Sequence, residues 1–262
     1  MDSLLSVFRL MTPQCYMATI DLQDAYYLVP IAEEHKESLR FTWHGHLDQF
    51  TCMPNGLACA PRFFAKLVTP VYSTLRRQPY LHSGYIDDSY LKGQNFEECQ
   101  RNVEATLELF TRLGFIINRD KSDIHPTQII THLGFILNST LITATLTLAK
   151  KEKMKDVSLE VVQESTPTIT KLPQVIGILV SSFPGVQFGQ LHYRTLEMEK
   201  NAALKSNKGN FDAVIALSSE GKAELKWWID NVDKAYNPVM HDNPEVEIHT
   251  DASNTGWGGS MC

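Results

Sequence analysis

The sequence predicts an α+β chain in which strands and helices interleave through the first half and helices dominate the second. Three observations carry that prediction. Cys15-Tyr16-Met17-Ala18-Thr19-Ile20-Asp21 alternates as a strand and ends on an acid. Tyr80 to Gly84 and Ser89 to Lys92 read as a hairpin with Tyr85-Ile86-Asp87-Asp88 at its tip. Ala60 to Arg77 and Phe96 to Leu113 carry apolar residues at helical spacing.

Along the first strand, Tyr16, Ala18 and Ile20 face one way and Met17, Thr19 and Asp21 the other, which puts Asp21 on the polar side of a half-buried strand. A short helical turn follows, and Asp24 is a candidate cap for it. Leu39 to Trp43 and Gln49 to Met53 then form a hairpin around His44-Gly45-His46. In the first long helix Phe63, Phe64, Leu67, Val71 and Leu75 supply the apolar stripe and Pro70 a kink. In the second, Val103, Leu107, Phe110 and Leu113 do so, and Gly114 stops it. Strands follow at Phe115 to Asn118 and His132 to Leu137. Past Leu141 the character changes: Thr143 to Thr147 is β-branched, Lys150 to Val162 alternates charge, and Ser165-Thr166-Pro167-Thr168 reads as a linker ending at a helix cap. Helices are expected at Lys171 to Ser182 and His192 to Ala203, with Pro184-Gly185 turning between them, and at Leu217 to Val232. There is no internal repeat or low-complexity tract.

The 262 residues, 43% hydrophobic and 21% charged, suffice for a substantial core in one large or two to three small units. No run of roughly 18 apolar residues appears, so no membrane partner is expected. Met1-Asp2-Ser3 opens with an acid and the apolar run behind it is broken by Arg9, unlike a cleavable signal. The five cysteines, Cys15, Cys52, Cys59, Cys99 and Cys262, lack metal-ligand spacing and read as reduced thiols of an intracellular protein. A net charge of −6 counts against a nucleic-acid partner, but the bases are clustered. Ala60 to Tyr80 holds Arg62, Lys66, Arg76 and Arg77 and no acid, and Gly189 to Lys208 holds a second excess. Either cluster alone also fits a solvated helix face.

The chemistry lies in the acids. Asp87-Asp88 alone fits an ordinary turn. With Asp21 on a separate strand end, the set fits nucleotidyl transfer, which needs carboxylates converging on two divalent ions about 3.5–4 Å apart.

Five blocks, in order, carry a resemblance to the reverse transcriptases of retroelements. They are Ile20-Asp21-Leu22-Gln23-Asp24-Ala25-Tyr26, Met53 to Phe64 with Pro54-Asn55-Gly56, Tyr85-Ile86-Asp87-Asp88, Leu113 to Asn118 with Lys121-Ser122, and His132-Leu133-Gly134-Phe135. Downstream, Ile176 to Leu179, Leu191-His192-Tyr193-Arg194, Lys226-Trp227-Trp228 and Ile248 to Ser253 with Gly256-Trp257-Gly258 look most like DIRS-type retrotransposons, gypsy-type elements being next. The resemblance implies a right-hand polymerase palm, a ferredoxin-like antiparallel sheet backed by two helices, with partial fingers over residues 1–142. A largely helical thumb and connection would span 143–240, and the first strand of a ribonuclease H-like domain 241–262.

The same resemblance implies an RNA-directed DNA polymerase that takes an RNA or DNA template with primer, and dNTPs. Asp21, Asp87 and Asp88, with the Leu22 carbonyl, would hold two Mg2+ ions, for which Mn2+ can substitute. Asp88 would support the geometry where Asp87 ligates. Leu22, Asp24, Ala25, Tyr26, Asn55 and Gly56 would contact the dNTP, Tyr26 as a steric gate against a 2′ hydroxyl. Tyr26 alone also fits a core aromatic, and Asn55-Gly56 a tight turn. Asn55 departs from relatives, where Phe or Gln is usual, which puts nucleotide affinity and fidelity in question. Lys121 would protonate the departing pyrophosphate, though an exposed lysine is more often a solvated charge. Arg62, Lys66, Tyr85, Ile86, Leu133 and Gly134 would contact primer and template, the last two as a primer grip. Read alone, His132 to Phe135 also fits a core strand with a glycine bulge.

Asp251, in the alternating run Glu245 to Asp251, would be the first metal-binding carboxylate of the ribonuclease H-like unit, whose other acids are absent. Relatives carry a basic fingers segment ahead of the Asp21 block, and here Arg9 is the sole base before it. Activity of this piece alone is therefore in doubt. The rival expectations are a non-catalytic nucleic-acid-binding remnant of a decayed or domesticated element, and an RNA-templated RNA polymerase, against which Tyr26 argues. Oligomeric state is open. The reading fails if Asp21 and Asp87 lie well over ten ångströms apart or are closed to solvent.

Overall fold

The computed structural model describes residues 2–239, 248–253 and 256–261. A short helix, α1 (Leu4–Leu10), precedes β1 (Tyr16–Gln23) and buries Val7. The sequence reading did not separate α1 from its surroundings. β1 differs from the half-buried strand expected: Met17, Ala18 and Ile20 are all fully buried, so both faces of its middle are covered and it approaches solvent at its ends, at Tyr16 and at Asp21 and Gln23.

A 3₁₀ turn (Ala25–Leu28) leads to α2 (Glu33–Lys36) and to the hairpin of β2 (Arg40–Trp43) and β3 (His46–Gln49). The second strand therefore starts three residues before the expected Gln49. The reason is a two-residue turn, His44-Gly45, with φ of 47° and 80°, the paired positive values of a type I′ hairpin.

Next come α3 (Ala60–Arg76), β4 (Leu81–Tyr85), β5 (Asp88–Gly93), α4 (Phe96–Arg112) and β6 (Ile116–Asn118). The sheet order is β4-β5-β1-β6, antiparallel throughout, the βαββαβ arrangement of a ferredoxin-like unit. α3 buries Ala60, Phe64, Val68, Val71, Tyr72 and Leu75 and runs on through Pro70. Phe63 and Leu67, placed in its core stripe by spacing, are 57% and 46% exposed instead. In α4 the expected Leu113 is exposed, while polar Asn102 and Thr106 are buried. Asn102 Nδ2 donates to the carbonyls of Leu81 (2.8 Å) and Lys92 (3.2 Å), so the helix clamps both strands of the β4–β5 hairpin from behind. Asn95 caps α4 by accepting the Glu98 N–H at 2.8 Å, and Gly114, at φ 84°, ends it.

The rest of the chain adds β7 (Ile129–His132), β8 (Phe135–Asn138), β9 (Thr143–Leu146), α5 (Leu148–Gln163), α6 (Lys171–Ser182), α7 (Arg194–Ser206), α8 (Ser219–Asn231) and β10 (Asn237–Pro238). A second antiparallel sheet orders β10-β9-β8-β7. The single strand expected at His132 to Leu137 is thus the closing part of a hairpin, because Leu133 and Gly134 both have positive φ, 50° and 79°. The unit boundary expected between residues 142 and 143 falls inside this sheet, between the paired strands β8 and β9.

α5 stands where only a charge alternation was read, since three residues, Met154, Ser158 and Val161, bury along it. Thr168 does not cap α6, which begins at Lys171. α7 begins two residues later than expected, where the Glu224 carboxylate from α8 accepts the N–H groups of Thr195 (3.0 Å) and Leu196 (3.1 Å). Trp228 anchors the helices, fully buried, with Nε1 donating to the His192 carbonyl at 2.7 Å. Finally β11 (Ile248–Ala252) and β12 (Trp257–Met261) pair antiparallel. Glu245 to Glu247 of the strand expected there, and Cys262, lie outside the described residues. No helix among the described residues is long and apolar enough to cross a membrane.

Candidate active site

Sheet order brings the acids together. β1 lies between β5 and β6, so Asp21 faces Asp88 on one side and Asn118 on the other. The Leu22 N–H donates to the Asp87 carbonyl at 3.0 Å, locking the turn of the β4–β5 hairpin to the end of β1. The Asp21 N–H donates to Ser122 Oγ at 2.9 Å, and that hydroxyl donates to the Asn118 carbonyl at 2.6 Å.

Ile86 and Asp87 form the hairpin turn, and Ile86 holds φ at 55°. A β-branched residue there costs on the order of 1–3 kcal/mol. Surrounding bonds maintain it. Tyr72 and Ser89 hydroxyls meet at 2.7 Å, and the Asp2 carboxylate accepts the Gly84 N–H at 3.2 Å.

Asp21, Leu22, Asp24, Ala25, Tyr26 and Asn55, together with Ile86, Asp87 and Lys121, line one cleft of about 350 Å³. Asp88 does not line it. Its carboxyl shares a hydrogen bond with that of Asp21 instead. Tyr26 both packs and lines: its ring meets buried Phe64 edge-on at 5.7 Å. Asn55 reaches Tyr27, Nδ2 to hydroxyl, at 3.4 Å, and Gly56 supplies the φ of 87° that the turn requires without lining the cleft. Asp24 makes no capping bond to the 3₁₀ turn, so the capping role considered for it is absent. A larger cleft of about 500 Å³, between α3 and α4, is lined by residues such as Leu67, Val71, Leu109 and Phe115 and has no titratable side chain, hence no acid–base chemistry.

Other candidates lie elsewhere. Arg62 and Lys66 are exposed on α3, Tyr85 ends β4, Leu133 and Gly134 form the β7–β8 turn, and Asp251 sits in β11. Sequence reading gave no role to Gln23, Tyr27, Asn118 and Ser122, although the first three line the cleft and Ser122 pins Asp21. The signal for Asn118 was available in the ferredoxin-like strand order, which puts the last strand beside the first.

Burial raises the Asp21 pKa and the Asp87 charge adds to it, while Lys121 and hydrogen bonds from Asn118 and Asp88 pull it back. Burial, then Asp87 and Asp21, push Asp88 up to about 6. Burial and Asp87 also raise Tyr26. This local excess of negative charge fits a cation. Among the described residues no three His, Cys, Asp or Glu groups close into a metal cage. Magnesium is commonly held by one or two carboxylates, waters and substrate phosphates rather than by an all-protein cage. Asp21 and Asp87, with Leu22 lining the same cleft, fit such a donor set.

The chain is 27% identical to the Gag-Pol polyprotein of Rous sarcoma virus subgroup B over 135 residues, 48% of this chain and 8% of that protein. It is 25% identical to the Pro-Pol polyprotein of simian foamy virus type 1 over 233 residues, 89% of this chain and 18% of that one. The chain thus spans less than a fifth of the length of either relative. A structure of foamy viral protease-reverse transcriptase in complex with RNA/DNA hybrid covers all of this chain, which covers 35% of it, at TM-score 0.70 and 21% identity. A second, of a foamy viral protease-reverse transcriptase with double-stranded DNA, covers 97% of this chain and is 44% covered by it, at TM-score 0.67 and 20% identity. The βαββαβ unit and the helices behind it therefore have the fold of a reverse-transcriptase palm and thumb. The family model for reverse transcriptase (RNA-dependent DNA polymerase) matches residues 3–137, more than half of the 262, and the chain belongs to that family.

Proposed function

We propose that the chain is the polymerase core of a retrotransposon reverse transcriptase, transferring nucleotides from dNTPs to a primer 3′ hydroxyl against an RNA or DNA template. The convergence of Asp21 and Asp87 on one open cleft with Tyr26, Asn55 and Lys121 carries this reading. Two magnesium ions, when bound by Asp21, Asp87 and the Leu22 carbonyl, supply activation of the primer hydroxyl and charge neutralisation on the phosphates. Asp88 holds Asp21 in place. The Tyr26 ring floors the cleft where the incoming sugar sits and leaves no room for a 2′ hydroxyl, while Asn55 and Gly56 shape its rim. Lys121 offers a proton to the leaving pyrophosphate.

The exposed bases Arg62 and Lys66 and the turn Leu133-Gly134 contact template and primer, as do Tyr85 and Ile86 beside the acids. The likeness to structures solved with nucleic-acid duplexes supports that partner. The blocks from Ile176 to Gly258 support a DIRS-type element, with Asp251 opening a ribonuclease H-like unit.

Primer extension on a recessed RNA/DNA duplex with Mg2+ tests the proposal, using this chain and this chain joined to a preceding fingers segment. Asp21→Asn and Asp87→Asn each lower extension by about 10³-fold or more. Salt-dependent duplex binding with no incorporation under any metal would instead establish a non-catalytic binding remnant.

A further inference from the structure

Lys150, in the first turn of α5, sits under the Leu133-Gly134 turn. Its Nζ lies 4.0 Å from the Phe135 ring centroid and donates to the Ser181 carbonyl at 2.9 Å. A Cβ built on Gly134 would stand 3.5 Å from Lys150 Cδ and 4.0 Å from Nζ. The Thr147 N–H donates to the Gly134 carbonyl at 3.3 Å, tying the turn to the entry of the same helix. Ser181 belongs to the last turn of α6, where carbonyls lack helical partners and the dipole favours a cation. The 3₁₀ turn after α6 packs on the same hairpin: a Cβ on Gly185 would lie 3.0 Å from Phe135 Cδ1 and 3.0 Å from Leu146 Cδ2.

Burial lowers the Lys150 pKa, so keeping an ammonium there carries a cost, which the ring face and the carbonyl offset. Lys155, on the same helix, pairs instead with Asp233. β7 is an edge strand, so no neighbouring strand of this sheet steadies the hairpin on that side.

We propose that Lys150 is a positioning residue that fixes the tip of the β7–β8 hairpin against the end of α6, so that Leu133 and Gly134 hold a primer 3′ end in one place. This rests on the primer-contact reading of that hairpin given above. Lys150 acts through the turn and does not touch the primer.

The test uses the 262-residue chain as wild type and as Lys150→Met, Lys150→Arg, Lys155→Met and Gly134→Val. Fluorescence anisotropy compares affinity for a duplex with a recessed 3′ end against the same duplex made blunt, and hydrogen exchange reads amides 129–138. Lys150→Met is expected to cut the preference for the recessed end about tenfold, the scale of one charge-assisted hydrogen bond. It also speeds exchange across the hairpin. Lys150→Arg restores most of both, and Lys155→Met changes neither. If Gly134→Val removes the preference and Lys150→Met keeps it, the role of Lys150 is overturned while the hairpin reading stands. Equal losses in Lys150→Met and Lys155→Met overturn it too, as general destabilisation. If neither the wild type nor any variant distinguishes the two ends, the hairpin reading itself fails.

Discussion

Asp21 is held through its main chain by Ser122: the Asp21 N–H donates to Ser122 Oγ at 2.9 Å. A hydroxyl that accepts from one strand and donates to the next fixes the acid without touching its carboxylate. Ser122→Ala leaves a part-buried N–H and carbonyl unpaired and should cost about 1–3 kcal/mol of stability. Denaturant unfolding measures this, and an unchanged midpoint would remove Ser122 from the scaffold.

Tyr26 makes a sharper claim. Replacing it with Ala opens the cleft floor above Phe64 and should relax selection against ribonucleotides by about tenfold or more. Single-nucleotide incorporation with rNTP and dNTP pairs reads the ratio, and unaltered discrimination would exclude a gating role.

Asp88 predicts an inverse pH dependence of stability. Its pKa rises from 3.8 to about 6 on folding, so between those values the native state binds more protons than the unfolded one. Stability from this group is greatest below the lower value and falls as pH rises through the upper one. Asp88→Asn removes that loss. With discounting for partial exposure, its Tm at pH 8 should exceed wild type by about 2–4 °C, with the advantage gone near pH 4.

His132 works in the opposite sense. Burial lowers its pKa from 6.5 to about 4, so the unfolded state takes up the proton first and stability declines as pH falls between those values. The full contribution is about 3 kcal/mol. His132→Phe should flatten stability across that window in urea melts at stepped pH. His82, lowered to about 4 in the same way, keeps part of the slope.

Two glycines mark close approaches. A Cβ on Gly84 would stand 2.3 Å from the Tyr72 ring, and one on Gly93 would stand 2.2 Å from the Cys99 main-chain nitrogen. Gly84→Ala should cost about 1–3 kcal/mol, and Gly93→Ala more, because a helix backbone yields less than a side chain. Thermal unfolding of both variants ranks them.

What sequence revealed and what it hid follow from the range of the interactions. The Asp21 strand, the Asp87 turn and the helices at Ala60, Phe96 and Lys171 were legible because period and punctuation are local signals. The start of β3 was missed, and the turn at Leu133-Gly134 was legible only through the resemblance to a primer grip and not from local pattern, because His44 and Leu133 adopt positive φ with no glycine in their own position. Phe63 and Leu67 were assigned inward because spacing defines a stripe but not its edges. Asn118 and Ser122 gained their places only when β6 settled beside β1, an event no local pattern announces.

That strand order also governs when the site can exist during synthesis. Ser122 lies 101 residues beyond its partner Asp21. A nascent chain on the ribosome therefore exposes the Asp21 strand long before the hydroxyl that pins its end has emerged. Until then Asp21 lacks its bond to Ser122, and the cleft is completed only when β6 and the residues just after it join the sheet.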